Sequence, residues 1–260
     1  MYVFLNGKFV KKENAKISLD DSSFLYGYGA YETLRARNGN VEYLDQHLKR
    51  LEHSLDVLLL PTHYSNAVIN DTIKELMNKN KLENAKIRIT VTKQTFLITG
   101  NEFHGYDKKY YESGASLIIY ATSRVLPEAK TTSCANQRII KKLADNEKAV
   151  DGIIVEKEIV KECATSNIFG VRKGIVYTPK TGILAGVTKN VLIKIAKKQG
   201  IKIIEEDFNV NFLLSCSECF ITSALKGVMP IVKIDDKIVG NGKLGKITKK
   251  LMDLNITDKQ

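Results

Sequence analysis

The stretch Gly182-Ile-Leu-Ala-Gly-Val-Thr-Lys-Asn190 is a glycine-containing turn that leads directly into a helix. We predict that helix over 188–199, with Thr188 as its N-cap and Gly200 just past its end. Such a junction presents backbone N–H groups at the positive end of a helix dipole, which suits a phosphate group. It lacks the Gly-Lys-Ser/Thr ending of a Walker loop and the spacing of the dinucleotide fingerprint. On its own, a turn of this kind is more often a simple helix cap than a phosphate site.

A second candidate anion site lies at the end of a later strand. The segment Cys219-Phe-Ile-Thr-Ser-Ala-Leu-Lys-Gly-Val-Met-Pro230 has the pattern of a strand that ends in small hydroxyl-bearing residues. Ser223 and the backbone amides next to it are suited to bind the same anion. The alternative is an ordinary exit from a strand into a loop, which is the better interpretation of this segment in isolation.

The remaining hydrophobic pattern mixes strand and helix periods without strict βαβ alternation, so the predicted fold class is α+β. Asn6-Gly7 favours a tight hairpin turn between two strands at 2–5 and 8–10. Leucines at helical spacing between 44 and 58 predict an amphipathic helix that Pro61 closes. The other predicted elements are strands at 32–37, 41–43, 87–92, 115–120, 152–156, 219–222 and 231–234, a helix over 136–146, and a hairpin around 172–177.

We predict two lobes joined by a linker. Residues 101–114 have weak periodicity and mixed polarity, and we place the linker at 107–113. The N-terminal α/β lobe is then 1–106. The C-terminal lobe is 114–260, and it contains both candidate anion sites.

The composition excludes several classes of protein. The chain has 260 residues, of which 43% are hydrophobic and 27% are charged, and this balance excludes a disordered chain. No apolar run approaches the roughly 18 residues that a membrane helix needs. The first residues lack the basic start and long apolar stretch of a secretion signal, so we expect a cytoplasmic protein.

The positive charge does not by itself indicate a nucleic-acid partner. The chain has 40 Lys and Arg against 29 Asp and Glu, a formal net charge of +11. The lysines are scattered, without a long basic tract or an Arg-rich arm, so we expect a solvated surface and neither a nucleic-acid nor a membrane partner. A polyanion-binding protein is the alternative from a different class, and it predicts salt-sensitive binding without a cofactor.

The four cysteines are expected to be free thiols. They are Cys134, Cys163, Cys216 and Cys219, and disulfides are rare in proteins that are not exported. Cys216 and Cys219 have C-x-x-C spacing, but there is no second pair and no histidine nearby in the sequence. We therefore expect small apolar core residues there and no metal site.

Five segments in a fixed order resemble the class IV pyridoxal-phosphate enzymes, which include branched-chain and D-amino-acid aminotransferases and aminodeoxychorismate lyase. Each segment alone is weak evidence, whereas five in this order over nearly the whole chain are specific. The resemblance implies two α/β lobes of the fold type IV (D-amino-acid aminotransferase-like) architecture, pyridoxal 5'-phosphate between the lobes, a small-molecule substrate and a homodimer. The segments are Leu25-Tyr-Gly-Tyr-Gly-Ala-Tyr-Glu-Thr-Leu-Arg35, Leu44-Asp-Gln-His-Leu-Lys-Arg-Leu51, Glu162-Cys-Ala-Thr-Ser-Asn-Ile-Phe169, Gly182-Ile-Leu-Ala-Gly-Val-Thr188 and Phe220-Ile-Thr-Ser-Ala-Leu-Lys-Gly-Val-Met-Pro230.

The resemblance assigns the lysine that binds the cofactor. In this family it lies at a characteristic distance before a Glu-x-x-x-x-Asn motif, and Lys130 lies 32 residues before Glu162. Lys130 would bind the cofactor aldehyde covalently and later move the Cα proton of the substrate. Lys141 and Lys142 are the alternative candidates, but they lie too close to Glu162 in the sequence and fit the solvent-exposed face of a helix.

The resemblance also assigns residues to the rest of the cofactor. Glu162 would pair with the pyridine nitrogen and favour the protonated ring, and Asn167 would order the turn around Glu162. Arg50 would bind the phosphate as a fork-shaped donor, the alternative being an exposed partner of a neighbouring residue on its own helix. The other cofactor-binding residues are Leu184 against the ring face, Val187 and Thr188 through their amides, the Thr188 hydroxyl, Ser223, and Ala224 at the strand end.

The substrate side is assigned to one strand and its neighbour. Tyr31 and Thr33 would line the substrate site. Arg35, Arg37 and Arg88 are candidates to bind a substrate carboxylate, although strand alternation points some of them outward. We favour Arg88 slightly, with a surface salt bridge as the equal alternative.

Three departures from the family pattern bear on the activity. Cys134 stands where branched-chain aminotransferases commonly have Tyr, Ala224 where aminotransferases typically have Thr, and Thr33 where branched-chain enzymes prefer Gly. Thr33 and the 223–230 segment are more similar to aminodeoxychorismate lyase. We therefore predict a lyase that converts 4-amino-4-deoxychorismate to 4-aminobenzoate and pyruvate. The alternative is an aminotransferase that moves an amino group between a branched-chain or D-amino acid and a 2-oxo acid.

Overall fold

The computed structural model describes residues 1–254 and divides the chain into two compact units. The first unit is 1–105 together with 128–134, and the described part of the second is 106–127 together with 135–254. The predicted boundaries differ from this division at two places. The predicted linker at 107–113 lies in the second unit, where it contains the short helix Lys109–Glu112, and the 128–134 segment belongs to the first unit.

The first unit is a six-stranded antiparallel sheet with two long helices. The strand order is β2-β1-β6-β5-β3-β4. The elements in chain order are β1 (Tyr2–Leu5), β2 (Lys8–Lys11), a short 3-10 helix (Lys12–Asn14), α1 (Ser22–Tyr26), β3 (Ala30–Arg37), β4 (Asn40–Val41), α2 (Leu44–Val57), α3 (Asn66–Asn80), β5 (Ala85–Val91) and β6 (Phe96–Glu102).

Alternation along β3 separates the core of this unit from a second, partly exposed face of the sheet. Leu34 and its alternate neighbours are buried, whereas Tyr31 and Thr33 are half-buried on the other face. The buried side forms one hydrophobic cluster with α2 and α3, to which Leu48 and Ile73 contribute. The sheet can therefore present polar side chains on its opposite face without disturbing the core.

The second unit is built on a nine-stranded mixed sheet. The strand order is β12-β11-β10-β13-β14-β7-β8-β9, with β15 paired to β14. The elements are α4 (Lys109–Glu112), β7 (Ala115–Ala121), α5 (Ala135–Asn146), β8 (Asp151–Glu156), β9 (Ile159–Cys163), β10 (Asn167–Arg172), β11 (Ile175–Thr178), α6 (Val187–Lys198), β12 (Ile203–Glu205), α7 (Val210–Leu214), β13 (Glu218–Ser223), β14 (Gly227–Ile234), β15 (Lys237–Ile238) and α8 (Lys246–Asp253).

Close packing in the second unit includes aromatic stacking and a close approach at Gly152. Phe169 and Phe220 stack in neighbouring strands with ring centroids 4.6 Å apart. Helix α5 approaches the sheet at Gly152, where an added Cβ would lie 2.3 Å from Cγ2 of Ile140. A larger residue at 152 would force the helix away from the strand.

The structure confirms the predicted α+β class and most predicted elements, and it corrects one cap. The Asn6-Gly7 hairpin pairs β1 with β2, and both turn residues have positive φ. The helix predicted over 188–199 runs from Val187 to Lys198, and its N-cap is Gly186. Thr188 is therefore the second residue of the helix, because the N-cap lies two residues earlier than predicted.

Candidate active site

A buried charge cluster in the first unit holds Arg50. The carboxylate of Glu32 is 0% exposed and accepts hydrogen bonds from Arg50 Nε at 2.7 Å and from Arg50 Nη2 at 2.9 Å. Nδ1 of His47 lies 2.8 Å from the same carboxylate, and the Thr33 N–H donates to it at 3.2 Å. The guanidinium is thus fixed in one plane by a bidentate contact. The alternative of Arg50 as an exposed helix partner does not describe this arrangement.

Burial and charge act in opposite directions on this cluster. Burial raises the pKa of Glu32, but the charge of Arg50 and the hydrogen bonds from His47 and Arg50 outweigh it, and the pKa lies well below its usual range. Burial lowers the pKa of His47, and the Glu32 carboxylate offsets this only in part. At neutral pH the cluster therefore consists of a carboxylate, a guanidinium and a neutral imidazole.

Lys130 is held against both α2 and β3. Its N–H donates to Oγ of Ser54 at 3.0 Å, and that hydroxyl donates to the carbonyl of Arg50 at 2.9 Å. The carbonyl of Lys130 accepts from the N–H of Tyr31 at 2.9 Å, and Thr131 forms a bridge with Ala30. The backbone of Lys130 is therefore fixed although it lies in a segment without a long helix or strand.

The side chains around Lys130 include two of the predicted substrate residues. Lys130 Nζ lies 4.7 Å from the ring centroid of Tyr31, and the guanidinium carbon of Arg88 lies 3.8 Å from the same centroid. Thr33 is the strand partner of Arg88. The structure thus brings Lys130, Tyr31, Thr33 and Arg88 together on the half-buried face of the first sheet.

The competing arginines and lysines have other partners. Arg35 lies over the ring of Phe103 at 5.5 Å, and Arg37 forms an ion pair with Glu42. On helix α5, Lys141 pairs with Asp145 four residues on, and Lys142 is exposed. Lys141 and Lys142 therefore lie on the solvent-exposed face of α5.

The second unit holds a buried carboxylate, Glu162, at the end of β9. Arg124 Nη1 donates to Oε1 of Glu162 at 2.5 Å. Asn167 Nδ2 and the Leu184 N–H each donate to Oε2 at 3.3 Å, and the Asn167 amide also donates to the Leu184 carbonyl at 3.0 Å. Sequence reasoning missed Arg124, because a single arginine in a loop 38 residues from its partner carries no local signal.

The start of α6 has the features of an anion site. Its N-cap is Gly186, no side chain caps the first turn, and Val187 and Thr188 are buried there. The first-turn N–H groups therefore depend on another acceptor. An added Cβ on Gly186 would lie 1.8 Å from Oδ1 of Asn167, so only glycine allows this approach of the helix start to the Glu162 turn.

The end of β13 carries the second candidate anion site and a lysine that sequence reasoning did not single out. Oγ of Ser223 accepts from the N–H of Lys226 at 3.3 Å, and Ala224 lies between them in the turn. Lys226 is buried, and its Nζ contacts Asp151. Within residues 1–254, the hydroxyl of Thr222 is buried and makes no hydrogen bond, so this strand end carries an unsatisfied polar atom.

These residues fit the chemistry of pyridoxal phosphate. The cofactor carries an aldehyde, a ring nitrogen that can be protonated and a phosphate dianion. Lys130 is an amine suited to the aldehyde, Glu162 is a buried carboxylate suited to a protonated nitrogen, and the first turn of α6 is suited to a phosphate. Each part of the cofactor therefore has a complementary group in the chain, with the amine in the first unit and the carboxylate and the helix start in the second.

Other kinds of site find no support among residues 1–254. No group of three or more His, Cys, Asp or Glu side chains there could hold a metal ion. All four cysteines are free, and burial raises the pKa of Cys216 to about 11. No helix in the described part is both long and apolar enough to cross a bilayer.

Comparisons with known proteins agree with this chemistry. Residues 29–234 match the family model described as amino-transferase class IV. A Methanocaldococcus jannaschii protein, provisionally named a branched-chain-amino-acid aminotransferase, is 31% identical over 97% of this chain and 94% of its own length. The D-alanine aminotransferase of Staphylococcus epidermidis is 31% identical over 96% of this chain and 94% of its own length.

Solved structures share the fold. A T.th. branched-chain amino acid aminotransferase with pyridoxamine 5'-phosphate superposes with a TM-score of 0.93 at 24% identity, covering 100% of this chain and 95% of that chain. A Legionella pneumophila protein, provisionally named a 4-amino-4-deoxychorismate lyase, superposes with a TM-score of 0.84 at 21% identity, covering 93% of this chain and 94% of that chain. The chain belongs to the class IV aminotransferase family and is a pyridoxal-phosphate-dependent enzyme.

Proposed function

We propose that this chain is an aminotransferase that moves an amino group between a small amino acid and a 2-oxo acid. The observation that carries the proposal is the group formed by Lys130, Tyr31 and Arg88, in which an amine and a guanidinium lie over the same aromatic ring. The Methanocaldococcus jannaschii and Staphylococcus epidermidis relatives, each 31% identical, are named as aminotransferases, which supports transfer over elimination.

In this proposal each residue has a stated role. Lys130 would hold the cofactor through its aldehyde and would move the proton at Cα of the substrate. Arg88 binds a substrate carboxylate, and Tyr31 and Thr33 line the substrate site. When bound, pyridoxal phosphate supplies an electron sink for the negative charge left at Cα.

The remaining residues orient the cofactor. The Glu162 carboxylate would accept a hydrogen bond from the protonated ring nitrogen and favour its charged form, while Asn167 and Arg124 hold the carboxylate in place. The amides of Val187 and Thr188, the Thr188 hydroxyl and the Ser223–Ala224 turn would bind the phosphate. Leu184 would pack against the ring face. Arg50, oriented by Glu32, would supply a cation for the phosphate.

Elimination of pyruvate from 4-amino-4-deoxychorismate is the second candidate function. It is favoured by Ala224, which offers no hydroxyl where aminotransferases typically have Thr, and by Thr33, which stands where branched-chain enzymes prefer Gly. In a lyase, Lys130 would remove the same proton, and the C–O bond to the side chain would break so that enolpyruvate leaves and tautomerises to pyruvate. The early steps are shared, so the two activities are separated by their products.

The deciding experiment measures both products in one preparation. The holoenzyme is incubated with D-alanine, L-alanine or L-leucine plus 2-oxoglutarate, and glutamate is measured, while pyruvate and 4-aminobenzoate are measured from 4-amino-4-deoxychorismate. We expect glutamate formation with at least one donor and its loss in Lys130→Ala. Formation of 4-aminobenzoate without any glutamate would contradict the aminotransferase proposal and establish the lyase.

We also propose that the enzyme is a homodimer formed through an apolar surface of the first unit. Phe24 is 70% exposed and Leu59 is 90% exposed, and the Tyr28 hydroxyl donates to the carbonyl of Leu58, which joins the end of α1 to this region. Phe24, Leu25 and Tyr26 are consecutive and all exposed, and adjacent exposed apolar side chains of this size are typical of a surface that another chain covers. Sedimentation is expected to show a dimer that Phe24→Ser weakens, and a monomeric wild type would contradict the proposal.

A further inference from the structure

Lys226 is a buried charged side chain to which the proposed mechanism gives no role. It lies in the turn between β13 and β14 and is 3% exposed. Its Nζ donates to Oδ2 of Asp151 at 3.2 Å, to Oγ1 of Thr165 at 2.6 Å and to Oγ of Ser166 at 2.9 Å. An ammonium group has three protons, and all three have an acceptor here.

The charge state of Lys226 follows from this cage. Burial lowers its pKa, but the fully buried Asp151 carboxylate outweighs burial, and the pKa lies above its usual value. The same Asp151 oxygen accepts from the hydroxyls of Thr165 at 2.6 Å and Ser166 at 2.9 Å. Lys226 is therefore a protonated, fully bonded ammonium, which is the opposite of a nucleophilic amine.

The cage connects two turns of the second unit that carry proposed cofactor residues. On one side, the Lys226 N–H donates to Oγ of Ser223 at 3.3 Å, and the Lys226 carbonyl accepts from the hydroxyl of Tyr111 at 2.8 Å. On the other side, Ser166 lies in the turn between Glu162 and Asn167. This turn is closed by a hydrogen bond of 2.7 Å from the Cys163 N–H to the Ser166 carbonyl. One side chain thus fixes the turn assigned to the phosphate and the turn assigned to the ring nitrogen.

Stability alone does not account for such a pair. Removing two charges from water costs several kcal/mol per ion, and well-packed apolar residues of similar volume often replace a buried ion pair without loss. An ammonium with three directed bonds, in contrast, sets both the distance and the orientation of the two turns. An apolar side chain would fill the space and leave the turns free to shift.

We propose that Lys226 is a positioning residue for the cofactor, which acts through Asp151, Thr165 and Ser166 to hold Ser223 in register with Glu162 and Asn167. This inference rests on the proposed function. It concerns a residue that does not touch the reacting atoms. It predicts that cofactor affinity depends on the directed bonds of the Lys226 side chain and not on the stability of the fold.

The experiment compares Lys226→Met with the double variant Lys226→Met/Asp151→Asn. The single variant leaves the Asp151 carboxylate buried without its cation, so its apo melting temperature is expected to fall. The double variant removes both charges, so much of that melting temperature is expected to return. In both, the dissociation constant for pyridoxal phosphate, measured by absorbance titration of the apoprotein, is expected to rise at least tenfold.

Controls separate this inference from the proposed function. Lys233→Met makes the same substitution at a half-exposed lysine of β14, whose side chain pairs with the exposed Asp236, and it is expected to leave the dissociation constant unchanged. Recovery of wild-type cofactor affinity in the double variant would overturn the inference, because affinity would then follow stability alone. A wild type that does not bind pyridoxal phosphate would overturn the proposed function, and the inference with it.

Discussion

Replacing Glu32 by Gln is the sharpest perturbation of the first unit, because it changes one charge at the centre of a buried cluster. The Glu32 carboxylate accepts two hydrogen bonds from Arg50 and one each from His47 and Thr33, and it is fully buried. An amide at this position keeps one acceptor oxygen and turns an NH₂ group toward donors. The Arg50 guanidinium then remains largely buried without its counter-charge.

The expected magnitude follows from the burial of the pair. Removing one partner of a buried ion pair costs about 3–5 kcal/mol, whereas an exposed pair contributes about 0–1 kcal/mol. Glu32→Gln should therefore lower the free energy of unfolding of the apoprotein by about 3–5 kcal/mol. Urea denaturation followed by circular dichroism measures this, with the slope of the transition checked for constancy.

A matched control uses an exposed pair of the same unit. Glu75 and Lys79 are four residues apart on α3, and their charged groups lie 3.4 Å apart with both side chains substantially exposed. Glu75→Gln should change the free energy of unfolding by less than about 0.5 kcal/mol. If Glu32→Gln costs no more than this control, the buried cluster does not stabilise the unit as we infer.

Three further predictions test the site. The pKa of His47 is lowered in the folded state, so between that pKa and about 6.5 the unfolded chain binds more protons than the folded one. The melting temperature should therefore fall as the pH drops through this window. His47→Gln should make this fall smaller. Glu162→Gln should retain the covalent adduct on Lys130 but lower kcat at least tenfold, because an amide does not stabilise a protonated ring nitrogen; an unchanged kcat would refute the role of Glu162. Gly186→Ala should weaken pyridoxal phosphate binding at least tenfold, since the new Cβ would lie 1.8 Å from Oδ1 of Asn167. Equal affinity of the variant and the wild type by absorbance titration would show that binding does not need the close contact between the start of α6 and Asn167.

Elements with strong local signals could be predicted from the sequence. The Asn6-Gly7 turn, the leucine spacing of α2 and the alternation of β3 are each encoded within a few residues, and the structure has all three. Helix α3 is not among the predicted elements, although Ile69, Ile73, Leu76 and Met77 recur at helical spacing. The asparagines around them are weak helix formers, and packing of these apolar residues in the core stabilises the helix. Strand β6 has a weaker local pattern, since a glycine and polar residues interrupt it.

The contacts within the site are less predictable than the elements. Glu32 and His47 are 15 residues apart, Arg124 and Glu162 are 38 apart, and Lys226 and Asp151 are 75 apart. Only the folded topology brings such pairs together, so no local pattern identifies them. Lys130, Arg50 and Glu162 could be assigned from the resemblance to the family. The residues that hold each of them in place could not.

The most direct test of the account is mass spectrometry of the holoenzyme after borohydride reduction. The reduced cofactor is expected on the peptide that contains Lys130, and Lys130→Ala should abolish it. Lys141, Lys142 and the fully bonded Lys226 should remain unmodified in the same digest. A pyridoxyl group on any of these three, with Lys130 unmodified, would contradict the assignment on which the proposed function depends.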